Sequence, residues 1–172
     1  MATAKKTAAK KSAPATASAA KKDATVLLQR DHNEVSKLFK QYQKLAKAEA
    51  DGDERKALAD RICAMLKVHA TIEEEIFYPA AREAEVEADV LDEADVEHAS
   101  AKALLAQIEA SDPDSDDHFD AKVKVLGEYI NHHVEEEEGT MFPKCRRAGM
   151  DLAGLATQLS ERKAELMAEV EA

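Results

Sequence analysis

Two segments of this chain repeat one another, and the repeat constrains the fold more than any other feature. HATIEEEIFYP runs from His69 to Pro79, and HVEEEEGTMFP runs from His133 to Pro143. Aligned on their prolines, His69 falls on His133 and Glu73 on Glu137. Each is a His-x-x-x-Glu pair, and on an α-helix residues four apart share one face, a turn apart. Two such faces turned together offer imidazoles and carboxylates to a common centre, a donor set suited to a transition metal and to iron in particular.

The apolar spacing extends this pattern to four helices. The first seam reads Leu28, His32, Val35, Phe39, Tyr42, Ala46, in steps of four and three that mark a bundle core. The second reads Leu58, Ile62, Met65, His69, Glu73, Ile76; the third Leu91, His98, Leu105; the fourth Phe119, Val123, Leu126, Ile130, His133, Glu137. Each long helix sends one His inward, and two of them add a Glu one turn later. One inward His is ordinarily a hydrogen-bonded core residue. Four imidazoles and two carboxylates at one level of a core are costly without a compensating cation. The candidate metal ligands are therefore His32, His69, Glu73, His98, His133 and Glu137. They suffice for one six-coordinate metal, or for two metals bridged by both carboxylates with positions left for an oxo or hydroxo bridge and a small ligand. His132 lies off the seam and His118 at a helix start, so neither is placed in the set.

Helix boundaries follow from breakers and caps. The spacing predicts helices over about 25–48, 53–85, 88–110, from 114–117 to 147, and 151–171. Asp51-Gly52, Ser111-Asp112-Pro113 and Gly149 separate them, and Pro79 kinks the second. Short connections make consecutive helices antiparallel. The expected fold is all-α: an up-down-up-down four-helix bundle with a short fifth C-terminal helix, spanning residues 24–172. Residues 1–23 are Lys-, Ala- and Ser-rich with little to bury, and read as a disordered basic tail.

Charge divides the chain in the same place. The net charge is −11, but the first 22 residues hold six lysines and no acid, which leaves −17 on the remainder. An acidic body with 4% aromatic residues and no Trp does not bind nucleic acid by itself. The tail is either a solubilising segment or a source of weak, nonspecific nucleic-acid contact. Cys63 and Cys145 lack zinc-site spacing and read as buried thiols. No apolar run is long enough to span a membrane and no hydrophobic signal core precedes the body, so a cytoplasmic location is expected.

RDHNEV around His32, HATIEEEIFYP, VEHASAKALL around His98, and HHVEEEEGTMFPK together resemble the hemerythrin family, in its bacterial HHE cation-binding branch, over about Ala24 to Arg147. The resemblance implies a non-haem di-iron centre, oxo- or hydroxo-bridged. His32 and His69 would bind one iron, His98 and His133 the other, and Glu73 and Glu137 would bridge them. Oxygen-carrying hemerythrins have a further His one turn after His98, where this chain has Lys102. That departure points from oxygen carriage toward reaction with hydrogen peroxide, dioxygen or nitric oxide in oxidative stress, or toward sensing or storage. Lys102 either turns outward or serves catalysis as a positive charge near peroxide. Glu97 is a replacement ligand or, more simply, a solvated acid.

Overall fold

The computed structural model describes residues 23–170, and the reading of residues 1–22 as a tail lies outside them. Seven α-helical segments follow in order: α1 Ala24–Lys47, α2 Gly52–Ile72, α3 Tyr78–Glu83, α4 Ala88–Glu109, α5 Phe119–Glu136, α6 Phe142–Arg147 and α7 Leu152–Val170. Two five-residue π-helical turns, Glu73–Phe77 and Glu137–Met141, join α2 to α3 and α5 to α6. The result is the expected bundle of four long helices, with α7 packed along α1 and α2.

Local chemistry sets the ends. Asp23 caps α1 by accepting from the Thr25 backbone N–H at 2.8 Å, and Asp51 caps α2 by accepting from Asp53 at 2.9 Å. Gly149 closes α6 at φ 75°, a left-handed conformation that glycine adopts without strain. The fourth long helix starts later than its acids imply. Asp112 and Asp116 accept from the backbones of Asp114 and His118, and these side-chain turns hold the chain out of the helix until Phe119.

Contacts across the bundle fix the directions. Near the C-terminal end of α1, Tyr42 donates to Asp120 at the start of α5; near its N-terminal end, His32 meets Glu138 just beyond α5. Lys67, His98 and Arg82 mark the same antiparallel run of α2 and α3 against α4 through Glu109, Glu74 and Asp95. Two apolar layers result. One contains Leu28, Ile72, Phe77, Leu91, Phe142 and Leu159, and the other Val35, Phe39, Ile62, Leu105, Phe119 and Leu126. The histidines occupy the level between the layers. Large apolar side chains on both sides hold the helices at fixed spacing.

Candidate metal centre

All six residues of the candidate set are buried: Glu73 is 0% exposed and Glu137 1%, and the four histidines lie between 4% and 9%. The histidines converge in two pairs. His32 and His69 bring their Nε2 atoms to 3.1 Å, and His98 and His133 bring theirs to 3.2 Å. Each carboxylate touches one histidine of each pair. Glu73 Oε1 is 3.1 Å from His69 Nε2 and its Oε2 3.4 Å from His98 Nε2. Glu137 Oε2 lies 3.2 Å from His32 Nε2 and 3.5 Å from His133 Nε2. His118 and His132 are exposed, outside this cluster. Lys102 also stays out: its Nζ donates to Glu74 at 2.7 Å on a partly exposed face.

An outer ring of acids holds the imidazoles. His32 Nδ1 meets Glu138 at 2.8 Å, His98 Nδ1 meets Glu74 at 2.9 Å, and His133 Nδ1 meets Glu97 at 2.7 Å. His69 Nδ1 faces Asp31 at 3.5 Å. A carboxylate at Nδ1 favours the tautomer that carries its proton there and leaves the Nε2 lone pair inward. Each acid is the sequence neighbour of one candidate ligand and serves a histidine on the next helix. Asp31 of α1 serves α2, Glu74 beyond α2 serves α4, Glu97 of α4 serves α5, and Glu138 beyond α5 returns to α1. Glu97, 21% exposed, reaches His133 Nδ1 and is placed to orient that ring.

Facing lone pairs about 3 Å apart repel unless a cation or a proton lies between them. Both Glu73 oxygens, Glu137 Oε2 and His69 Nδ1 also have no hydrogen-bond partner of acceptable geometry. Without a metal, protons take the cation's place. Burial pushes His69 down, but Glu73, Asp31 and Glu137 outweigh it and hold the imidazole up to about 10. His32 and His98 shift up for the same reason, as Glu137 and Glu73 overcome burial. Burial pushes Glu73 up, and His69 and His98 reverse this and hold it well below the usual carboxylate range. A largely exposed group, Glu97, His132 and Glu136, and two buried groups of donors could hold a metal ion, the buried ones being His32, His69, Glu73 and Glu137, and Glu73, His98 and His133. Glu73 belongs to both buried groups.

The π-helical turns explain how each His-x-x-x-Glu pair coexists with its proline. A regular helix would need an N–H from Pro79 and from Pro143. Here the N–H of Tyr78 reaches back to the Glu73 carbonyl, and that of Phe142 to Glu137, five residues away. The wider turn takes up one extra residue and admits the proline just beyond it. It also brings in Tyr78, which the seams did not single out. Tyr78 is 2% exposed and donates to Glu137 Oε1 at 2.8 Å, with His98 Nε2 3.2 Å away. Burial and the two carboxylates push its phenol well above its ordinary range, so it stays protonated.

A model of the hemerythrin HHE cation binding domain matches residues 23–145 of this chain. A protein described as a DNA nickase, from Nostoc sp. (strain PCC 7120 / SAG 25.82 / UTEX 2576), is 32% identical over 120 residues, which make up 70% of this chain and 32% of that protein. The chain therefore spans about a third of that relative's length. The crystal structure of a hemerythrin HHE cation binding domain-containing protein from Mycobacterium kansasii superposes with a TM-score of 0.70 at 23% identity, covering 86% of this chain and 88% of that one. At that identity the likeness is one of fold.

Proposed function

Because this chain belongs to the hemerythrin HHE cation-binding domain family, we propose that it is a non-haem di-iron protein that consumes a small oxidant, hydrogen peroxide foremost. The observation that carries this reading is the pairing of four Nε2 atoms around two fully buried carboxylates that each reach both pairs. His32 and His69 would hold one iron and His98 and His133 the other, with Glu73 and Glu137 shared. Imidazole and carboxylate donors together suit iron better than structural zinc, which favours a closed set with cysteine. Cys63 and Cys145 are free and buried and belong to no donor group among the described residues, their thiols pushed up to about 12 and about 11 by burial, with Glu137 adding to the rise at Cys145.

Two bound irons would supply redox equivalents and Lewis acidity to the oxidant. The chain's own residues would do the rest. The apolar layers flank the centre on two sides, and the outer acids fix each imidazole. Tyr78 holds a proton at Oη, hydrogen-bonded to Glu137 on the His98–His133 side. Lys102 replaces a ligand there and directs its charge to Glu74, which leaves that side with fewer protein donors.

Metal analysis with optical and Mössbauer spectra of aerobically purified protein, followed by peroxide addition, tests the reading. About two irons per chain and catalytic loss of peroxide are expected. Lys102→His should slow that loss at equal iron content by adding a donor. Reversible oxygen binding with peroxide left untouched would favour a carrier or sensor instead. A second reading, contact with nucleic acid, draws on the six lysines of residues 1–22 and on the resemblance to a DNA nickase.

A further inference from the structure

The cavity that opens onto the histidines is much larger than a small oxidant requires. Its volume is about 480 Å³. A water-sized molecule takes on the order of 30 Å³, so room for roughly ten further groups of that size remains beside a metal pair and a diatomic ligand. The walls are chiefly apolar. Val35, Met65, Ala101 and Leu105 line it, together with Met167 and Val170 of α7. Met65 and Met167 are deformable enough to follow a flexible chain.

Seven residues of α2 line this space, Leu66 and Ala70 among them. The other five, Arg61, Ala64, Met65, Val68 and His69, stand at helical spacings that put them on a single stripe. From Arg61 to His69 the stripe is about 12 Å long at 1.5 Å per residue. Arg61 is exposed, stands at one end of this stripe and makes no ion pair among the described residues. The other cations on the lining are already paired, Lys102 with Glu74 and Lys163 with Asp31. Glu34, exposed on the same lining, is not paired with Arg61.

A chiefly apolar cavity beside a stripe about 12 Å long, with one unpartnered guanidinium at the end of that stripe, suits an amphiphilic anion. We propose that this cavity binds a straight-chain carboxylic acid of medium length. The carboxylate sits on the Arg61 guanidinium, whose fork donates two hydrogen bonds to its oxygens, and the hydrocarbon lies along α2 toward the histidines. The inference goes beyond the small-oxidant reading and does not depend on it, because the walls and the cation belong to the protein alone.

Isothermal titration of decanoate into the full-length protein as isolated, with its metal content recorded, tests the proposal. One decanoate per chain is expected, while butyrate, with little chain to bury, should give no heat at concentrations up to about 1 mM. Arg61→Gln should weaken decanoate about tenfold and leave decanol, which has no charge, unchanged. Ala64→Phe, which puts a ring into the cavity, should abolish binding of both, with circular dichroism confirming the fold. Met167→Trp fills the cavity from α7 and serves if Ala64→Phe does not fold. Failure of wild-type protein to bind decanoate overturns the proposal, as does binding that survives both cavity-filling changes. Equal loss of decanoate and decanol in Arg61→Gln overturns the placement of the head group. Absence of iron would overturn the metal reading and leave the decanoate result standing.

Discussion

At the scale of single residues, the centre is a competition between protons and a metal. His69 is held up to about 10 in the metal-free protein, above its ordinary value near 6.5. Its pairing therefore stabilises the metal-free fold fully below about pH 6.5 and is lost as pH rises through about 10. Glu73 has the opposite sign: its contribution is present above its ordinary range near 4.5 and is lost as pH falls through its depressed value. A metal must displace the His69 proton, so binding should release at least one proton and tighten from pH 6 to pH 8. Calorimetry in buffers of differing ionisation enthalpy measures that release; none would refute the protonated resting state. The orienting acids should matter nearly as much as the ligands. Glu97→Ala leaves His133 Nδ1 without its acceptor and should cost about 10- to 100-fold in metal affinity, against no change for the exposed control Glu93→Ala. Tyr78→Phe removes only the phenol proton donor. It should keep its iron and lose about tenfold or more in peroxide turnover, read by stopped-flow at matched metal content.

At the scale of elements, the two π-helical turns decide which side chains reach the centre. Gly139 lies in the second turn, where an added Cβ would meet nothing within 4 Å. Gly139→Ala should therefore be harmless or stabilise by about 0.5–1 kcal/mol. Deleting Gly139 should convert the turn to regular helix and rotate α6 and Phe142 out of register with α5. Helix content measured by circular dichroism should survive, and metal binding should fall sharply. Retention of full metal would show that the extra residue does not position the site. The sequence patterns foretold much of this architecture and missed specific parts for physical reasons. Seams and breakers placed the helices because burial obeys a 3.6-residue period, and the same seams put His32, His69, His98 and His133 at one level. The π-turns leave almost no trace in hydrophobicity, because they change hydrogen-bond partners while apolar residues stay inward. The orienting acids were hidden among many others. Glu135 to Glu138 are four consecutive glutamates, and only their register decides that Glu137 is buried while Glu138 meets His32. The neighbouring acid beside each candidate ligand, as in Asp31-His32 and Glu97-His98, was the available signal.

At the scale of the whole molecule, residues 23–170 contain both apolar layers and every member of the centre. A chain lacking residues 1–22 should keep its helix content and iron, checked by circular dichroism and metal analysis. Any DNA affinity of the full chain should vanish with those six lysines and fall steeply with salt, because the remainder carries −17. No described helix is long and apolar enough to cross a membrane. The ring of acids has a broader consequence. The chain from α1 to α3 supplies Asp31, His32, His69, Glu73 and Glu74, and the chain from α4 to α6 supplies Glu97, His98, His133, Glu137 and Glu138. Each half carries a complete histidine pair, yet borrows the acceptor of one histidine from the other: His32 depends on Glu138, and His98 on Glu74. Two fragments cut between α3 and α4 are therefore expected to be mutually incomplete, and to complement one another into a single body when mixed with metal.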